Sequence, residues 1–223
     1  MSQAELKLAS IVSRPFGENS YVAWLEGSRQ CVVFDPGYEP GKILRCLEEQ
    51  QLEPVAILNT HGHLDHIAGN GALKERWPSA PIVIGRIDAP MLTDPELNLS
   101  AAFPDPVISP PADVLLDAGD PCEAAGMTFE TRLIPGHSPG HLVFIWRGPT
   151  RTVIFGGDVL MQGSIGRTDF PGGNTQQLLT GIREQLFTLP DEAIVLPGHG
   201  GPTTIGEERA TNPFVGEGAS YGD

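Results

Sequence analysis

The sequence predicts a mixed α and β fold in which short strands outnumber helices. Glycine and proline are frequent, with 27 and 21 copies among 223 residues, and they divide the chain into short segments. Most of these segments are brief apolar runs typical of strands, and only a few have the apolar spacing of a helix. With 40% hydrophobic residues, the chain is long and apolar enough to bury the core of one large domain.

The first half of the chain alternates between predicted strands and helices. The strands are residues 6–12, 21–25, 30–34, 55–59 and 82–84, and the helices are residues 40–51 and 71–77. Ile43, Leu44 and Leu47 give the first helix its apolar face, and Pro54 follows its end. Residues 93–111 are rich in proline and too polar for the core, so we expect a loop there.

The second half repeats this pattern. Its predicted strands are residues 114–116, 127–134, 142–146, 152–155 and 193–196. Asn174 is placed to cap a helix that runs to Phe187. We expect a single domain over residues 1–214, followed by a flexible tail over residues 215–223.

Charge and cysteine content disfavour several classes of protein. The net charge of −14 repels phosphate backbones and anionic lipids, so we expect small-molecule partners and neither nucleic acid nor membrane. Cys31, Cys46 and Cys122 are too scattered for a disulfide framework or a zinc finger, and we expect buried apolar residues. The first residues lack a basic and apolar leader and no run reaches transmembrane length, so the expected location is the cytoplasm.

The strongest chemical signal is a cluster of ligand-type residues directly after the predicted strand 55–59. Half of the six histidines lie in the run His61-Gly-His63-Leu-Asp65-His66. Neutral imidazole is the commonest protein ligand of zinc and iron, and a carboxylate adds negative charge. This spacing predicts a metal site.

Similar residues follow other predicted strands. Asp35, His137, Asp158 and His199 each come shortly after an apolar run, and the last three lie in glycine-containing turns that let the backbone approach an ion. If these strand ends share one edge of the sheets, the residues converge with the histidine cluster. Ordinary turns with incidental polar residues explain any one of these segments, but they are a poor explanation of all of them together.

Taken together, these motifs resemble the metallo-β-lactamase superfamily. The resemblance covers nearly the full length, from Asp35 through the histidine cluster to Pro-Gly-His137, Gly-Gly-Asp158 and Pro-Gly-His199-Gly. It implies an α+β fold, the αβ/βα four-layer sandwich of two mixed β-sheets flanked by helices.

The resemblance also implies a ligand set for two divalent metal ions. His61, His63 and His137 would bind the first ion, Asp65, His66 and His199 the second, and Asp158 would bridge them. Asp65 and Asp158 are also the expected catalytic carboxylates. Because no cysteine lies near the site, β-lactamases with a cysteine ligand are not matched, and the set resembles the compact, single-domain glyoxalase II-like (hydroxyacylglutathione hydrolase-like) branch. Zinc is the expected metal, and iron and manganese suit the same ligands.

A glyoxalase II-like site implies hydrolysis of a small-molecule thioester. Two divalent ions lower the pKa of a bridging water to about 7, so that hydroxide acts as nucleophile without a separate protein base. A thiolate leaves readily, because the pKa of its thiol is about 8.5. Hydrolysis of β-lactam antibiotics is not expected.

Four further residues are candidates for supporting roles. Asp35 and His141 are expected behind the ligands, where they would hold imidazole rings or the local turn, although an Asp-Pro-Gly turn and a structural histidine are simpler explanations. Arg167 is expected either to bind a substrate carboxylate or to pair internally with Asp169. Asn19 is a second substrate-binding candidate, although a role in a turn is the simpler explanation.

Two other activities stay open. Persulfide dioxygenases share this fold and a Gly-Arg-Thr-Asp-Phe stretch, but they use a single iron, and their pattern has a cysteine where this chain has His141. Lactonases share the fold as well. The helical domain that completes the glutathione site of glyoxalase II has no counterpart after Phe214, so the resemblance implies metal-dependent hydrolysis more strongly than glutathione recognition.

Overall fold

The computed structural model describes residues 4–219. Its first sheet contains six strands in chain order. They are β1 (Leu6–Ser13), β2 (Glu18–Leu25), β3 (Gln30–Phe34), β4 (Glu53–Leu58), β5 (Ile82–Gly85) and β6 (Val114–Leu116). Neighbours are antiparallel from β1 to β3 and parallel from β3 to β6. The carboxyl ends of β3 and β4 therefore lie side by side.

The second half of the chain forms another six-stranded sheet and a small hairpin. Its strands are β7 (Cys122–Ala124), β8 (Met127–Leu133), β9 (Leu142–Arg147), β10 (Thr152–Gly157), β11 (Leu160–Met161), β12 (Ser164–Ile165), β13 (Ile194–Pro197) and β14 (Thr203–Thr204). β11 and β12 form the hairpin, and the sheet order is β14-β13-β10-β9-β8-β7. Since β10 and β13 are parallel, their carboxyl ends are also neighbours.

Helices cover the outer face of each sheet. They are α1 (Pro40–Glu49), α2 (Leu64–Ile67), α3 (Asn70–Arg76), α4 (Thr175–Gly181), which continues as a π-helical turn, and α5 (Ile205–Thr211). One apolar cluster lies between the first sheet and α1 and α3, and another lies between the second sheet and α4 and α5. A third joins the two sheets. This layering confirms the predicted αβ/βα sandwich.

Two stacked rings connect the core to the strand ends. Phe34 at the end of β3 stacks on Phe155 of β10, with ring centroids 3.8 Å apart and an interplanar angle of 7°. Each of these two residues is only 1% exposed. Asp35 follows the first ring directly, and Asp158 lies just beyond the second. The contact between the sheets thus fixes where two of the polar turns begin.

Short elements account for most differences from the prediction. Every predicted strand overlaps an observed one, but β7, β11, β12 and β14 were not predicted, because segments of two or three residues show no periodicity. The four-residue helix α2 was not predicted, and the helix α5 was also missed. Its signal was a capping box, in which the Thr204 side chain accepts a hydrogen bond from the Glu207 N–H at 3.2 Å.

The loop over residues 93–111 lacks helix and strand, as predicted, but it is not too polar for the core. Asn98 and Ser100 are fully buried. The Asn98 side chain donates hydrogen bonds to the carbonyl oxygens of Met91 at 3.0 Å and Val107 at 2.9 Å. Burial of this amide is therefore compensated, and the loop packs as a fixed part of the structure.

Packing also continues beyond the predicted domain boundary at residue 214. Val215 is 2% exposed and joins the apolar cluster beneath α4 and α5. The remaining part of the predicted tail, residues 220–223, lies outside the described residues. Cys31 and Cys122 are buried and Cys46 is half-buried, all with free thiols. Among residues 4–219, no helix combines the length and apolar character needed to cross a membrane.

Candidate metal centre

The predicted ligands converge beyond the carboxyl ends of β4, β8, β10 and β13. The structure brings together His61, His63, Asp65, His66, His137, Asp158 and His199. They form three overlapping groups, and within each group the ligand atoms lie within 4.8 Å of one another: His61, His63 and His137; His61, His66 and Asp158; and Asp65, His66 and His199. The first and third groups are the two ligand sets that the family resemblance implies. The second group combines one histidine from each set with Asp158.

The first set consists of three neutral imidazoles. The His137 Nε2 atom lies 2.9 Å from His63 Nδ1 and 3.3 Å from His61 Nε2. Burial holds the pKa of His61 well below its ordinary value, and it lowers the pKa of His63 to about 3. Burial lowers the pKa of His137 as well. Neutral imidazole is the form that binds a metal ion.

The second set contains carboxylates as well as imidazoles. The His199 Nε2 atom is 3.3 Å from an Asp65 oxygen and 3.4 Å from an Asp158 oxygen, and His66 Nε2 is 3.5 Å from the other Asp158 oxygen. Burial opposes charge on His66 and His199, but Asp158 and Asp65 outweigh it; the pKa of His66 rises well above its ordinary value and that of His199 rises to about 10. These carboxylates therefore stabilise positive charge strongly.

Unpaired atoms in the cluster fit a bound cation. Within the described part of the chain, His66 Nε2 and Asp158 Oδ1 are buried and have no hydrogen-bond partner. Such atoms are costly unless an ion or another polar group satisfies them. The donor set of imidazole nitrogen and carboxylate oxygen suits zinc, iron and manganese. The residues present thus fit divalent metal ions.

Asp35 supports both sets of ligands. One carboxylate oxygen accepts the Thr60 backbone N–H and the other accepts the Thr60 hydroxyl, both at 2.7 Å. The second oxygen is also 3.2 Å from His66 Nδ1, and Thr60 Oγ1 is 3.1 Å from His61 Nδ1. With both Nδ1 atoms bonded from behind, His61 and His66 present Nε2 to the cluster. Asp35 thus has the expected place, and Thr60 is a functional residue that the sequence did not single out.

His141 lies behind the ligands rather than among them. Its Nε2 accepts a hydrogen bond from the Asp158 backbone N–H at 3.1 Å. Its ring stacks on His61, with centroids 4.6 Å apart. Burial keeps its pKa well below the ordinary value, so the ring is neutral and able to accept this bond. His141 therefore orients the backbone of one ligand and the ring of another.

Of the two roles considered for Asn19, the structure contains the one in a turn. Its side-chain amide donates to the carbonyl oxygens of Pro197 at 3.0 Å and Gly200 at 2.9 Å. These bonds clamp the turn that carries His199, and Asn19 is not among the residues lining the adjacent cavity. Gly198 in this turn has no room for a side chain, because a Cβ atom would lie 2.1 Å from Asp158 Oδ1. Asn19 therefore positions His199 and does not line the cavity as a substrate contact.

Asp88 is a second residue that the sequence did not reveal. Its buried carboxylate accepts hydrogen bonds from the Ser138 hydroxyl at 2.5 Å and from the Gly140 N–H at 2.6 Å. The Gly62 N–H also bonds to it. Burial raises the pKa of Asp88 to about 6 despite these three donors. Asp88 therefore ties the turn around His137 to the one around His61.

A cavity of about 410 Å³ opens beside the ligands. Away from the ligands, its surface is mostly apolar, and we call this part the apolar wall. The wall consists of Phe16, Leu99, Met161, Ile165 and Phe170. The cavity is large enough for a small-molecule substrate next to the metal ligands.

Arg167 also lines this cavity, but its guanidinium is occupied. Two of its nitrogens bond the two Asp169 carboxylate oxygens at 3.0 and 2.8 Å. The guanidinium also lies 4.4 Å from the centre of the Phe170 ring. Its backbone carbonyl accepts a hydrogen bond from His137 Nδ1 at 2.8 Å, which presents His137 Nε2 to the cluster. Of the two roles predicted for Arg167, the structure contains the internal pair with Asp169.

The fold and the ligand set coincide with a family match. The sequence model of the metallo-β-lactamase superfamily matches residues 13–199, and the chain belongs to this superfamily. It is 39% identical over 202 residues to the probable metallo-hydrolase YqgX of Bacillus subtilis, covering 90% of this chain and 93% of that protein. It is 34% identical over 215 residues to the hydroxyacylglutathione hydrolase GloC of Haemophilus influenzae, covering 90% and 93%.

Solved structures agree with this assignment. BLEG-1, a B3 metallo-β-lactamase, superimposes with a TM-score of 0.88 at 37% identity, covering 94% of this chain and 99% of that one. TTHA1623 in a di-iron-bound form gives 0.78 at 35% identity, covering 92% and 98%. ETHE1 from Myxococcus xanthus gives 0.76 at 30% identity, covering 94% and 84%. The chain is thus a metallo-hydrolase of this superfamily with a His/Asp metal site.

Proposed function

We propose that this protein is a dinuclear metal-dependent hydrolase that cleaves thioesters with glyoxalase II-like chemistry. The observation that carries the proposal is the position of Asp158 between the two sets of ligands. One of its oxygens is 3.5 Å from His137 Nε2 and 3.4 Å from His199 Nε2, and the other is 3.5 Å from His66 Nε2. A single carboxylate therefore reaches both sets. The relationship to GloC supports the same reaction class.

Each set would hold one ion, with zinc as the proposed metal. When bound, such a pair of ions supplies a nucleophile from water at neutral pH and positive charge for the carbonyl oxygen. The protein contributes the charge and orientation that this requires. Asp65 and Asp158 offset the positive charge, and Asp35 and Thr60 fix the imidazole rings. No protein acid is needed on the leaving group, since a thiol has a pKa of about 8.5.

Metal analysis combined with a thioester panel tests the proposal. The full-length protein would be loaded with zinc, iron or manganese, its bound metal measured, and its hydrolysis of S-lactoylglutathione and other thioesters followed. Asp158→Ala and His66→Ala should lose both metal and activity. Asp105→Ala removes an exposed carboxylate that does not line the cavity and serves as the matched control. Unchanged metal content and hydrolysis in both ligand variants would overturn the two-metal assignment.

Oxidation of persulfides is a second candidate, favoured by one group of ligands. His61, His66 and Asp158 have the composition of two histidines and one carboxylate that is found in iron oxygenases. Oxygen uptake by the iron-loaded protein with glutathione persulfide, abolished under argon, would replace the hydrolase proposal. Assays with acyl-homoserine lactones test the lactonase alternative in the same way.

Hydrolysis of β-lactams belongs in the same panel because of the similarity to BLEG-1. The expectation against this activity rests on the lack of a cysteine ligand, which separates the chain from only some β-lactamases. A penicillin and a cephalosporin would be assayed with the zinc-loaded protein. If either β-lactam is hydrolysed faster than every thioester, the protein is primarily a β-lactamase.

A further inference from the structure

Away from the metal ligands, the cavity has few side chains that could recognise a negatively charged substrate. Among residues 4–219, Arg167 is the only arginine or lysine that lines it. Its guanidinium is already neutralised by the paired bonds to Asp169. The chain carries a net charge of −14, which adds unfavourable long-range potential for an anion. Glutathione has two carboxylates, and within residues 4–219 the cavity lining has no unpaired lysine or arginine for either.

Leu99 on the apolar wall is held in an unusual backbone conformation. Its φ angle is +70°, a value that residues with a Cβ atom rarely adopt. The neighbouring Asn98 is fully buried, and its side chain bonds Met91 and Val107 as described above. The Asn98 carbonyl also accepts the Leu64 N–H at 3.0 Å. Strain of this kind is concentrated at functional sites, where surrounding contacts maintain it.

Aromatic side chains extend the wall from the cavity towards solvent. Phe16 lines the cavity and is 37% exposed. Its ring centroid lies 5.4 Å from that of Tyr38 and 5.9 Å from that of Phe103, which is 41% exposed. An apolar patch that continues into a cavity marks a surface for an apolar ligand.

From these observations we propose that the cavity selects uncharged thioesters whose apolar acyl group packs against Phe16 and Leu99, and that it discriminates against glutathione thioesters. This inference rests on the proposed thioester hydrolysis and specifies its substrate class. The acyl group would lose water-exposed apolar area on the wall, and the uncharged thiol carrier would avoid the acidic field of the protein.

Binding of non-hydrolysable thioethers tests the inference separately from catalysis. S-hexyl-N-acetylcysteamine and S-hexylglutathione carry the same apolar chain on an uncharged and a charged carrier. Calorimetric titration of the zinc-loaded protein should give a Kd about tenfold lower for the uncharged compound. Equal or tighter binding of S-hexylglutathione would overturn the inference.

Variants of the apolar wall test whether its side chains bind the hexyl group. Leu99→Gly removes the side chain while glycine adopts the positive φ without strain, so the variant should fold. Leu99→Gly and Phe16→Ala should each weaken binding of the uncharged thioether about tenfold. Leu97→Ala, at a 48% exposed position in the same loop that does not line the cavity, is the matched control. An unchanged Kd in both wall variants would show that the wall does not bind the chain.

Hydrolysis assays distinguish failure of this inference from failure of the proposed function. The wild-type protein should hydrolyse hexanoyl-N-acetylcysteamine with a higher kcat/KM than S-lactoylglutathione. Faster hydrolysis of S-lactoylglutathione would overturn the inference and support the proposed function. A protein that binds the uncharged thioether selectively but hydrolyses no thioester would overturn the proposed function and support the apolar wall as a ligand-binding surface.

Discussion

The metal ligands and the apolar wall line the same cavity, yet they are held in different ways. All the ligands except the partly exposed His199 are buried at strand ends, and hydrogen bonds with Asp35, Asp88 and Asn19 fix their rings and turns. The wall consists of half-buried or exposed side chains such as Phe16 and Leu99, which make no side-chain hydrogen bonds. The metal site is therefore fixed by polar contacts from several directions, whereas the proposed substrate selectivity rests on a few apolar side chains that can change independently.

Asp158→Asn changes a metal ligand and should have the largest effect of the substitutions considered. A neutral amide cannot offset the charge of two ions, so hydrolysis of any thioester should fall by about 10³-fold or more. Metal content and kcat would be measured together, with Asp105→Asn as the control for removing one carboxylate. An Asp158→Asn variant with full metal content and nearly normal kcat would contradict the role assigned to this residue.

Asp88→Asn should change the pH dependence of stability. The pKa of Asp88 is about 6 in the folded protein and 3.8 in its ordinary state, so the folded chain binds this proton more tightly. The carboxyl therefore contributes less to the free energy of unfolding as the pH rises from about 4 to about 6, by roughly 3 kcal/mol in total. The variant lacks this titration.

Urea unfolding of the metal-free wild type and Asp88→Asn across this pH range measures the difference. The wild type should lose stability relative to the variant as the pH increases. A constant difference would mean that Asp88 has an ordinary pKa and that its three hydrogen bonds fully compensate its burial.

Asp35→Asn should weaken both sets of ligands, because one carboxylate contacts His66 directly and His61 through Thr60. Loss of such a partner typically lowers metal affinity about 10- to 100-fold. Thr60→Val should have a smaller effect, since it removes the contact to His61 and leaves the one to His66. Chelator competition with both variants tests this order. Equal effects would show that Asp35 does not serve His66.

Asn19→Ala should separate the two roles considered for this residue. Loss of its bonds to Pro197 and Gly200 should loosen the turn of His199 and lower metal affinity about tenfold. The KM for an uncharged thioester, measured with metal in excess, should stay unchanged. A raised KM with unaltered metal affinity would instead restore the substrate contact predicted from the sequence.

Asp169→Asn should have the smallest effect and should alter only the selectivity between charged and uncharged substrates. It releases the Arg167 guanidinium, so kcat/KM for a glutathione thioester should rise by a factor of about two to five. Hydrolysis of an uncharged thioester and the melting temperature should not change, because both side chains are exposed. Equal gains for both substrates would show that the pair acts on the loop rather than on charge.

The sequence predicted the ligands because each one follows an apolar strand or lies in a turn with glycine. His137 and His199 were recognised only together with the histidine cluster and through the family resemblance, because an ordinary turn explains either one alone. Asp88 was missed because its partners lie about fifty positions away, where no local pattern connects them. Thr60 was missed because it looks like the end of a strand.

The substrate side was harder to predict for a physical reason. Whether Arg167 meets a ligand or Asp169 depends on the rotamers of two exposed side chains, and spacing does not determine these. Leu99 belongs to a loop without periodicity, so nothing in the sequence indicates that it lines a cavity. The turn that Asn19 holds could not be identified from the sequence, because its partners, Pro197 and Gly200, lie about 180 residues further along the chain.

The bond between the Asn98 carbonyl and the Leu64 N–H has a consequence for protein engineering and for divergence within the family. It supports the first turn of α2, the helix that carries Asp65 and His66, and it lies one residue before Leu99. A change in loop length here would disturb the metal ligands together with the apolar wall. New selectivity is therefore more accessible through the side chain at position 99 than through insertions or deletions around it.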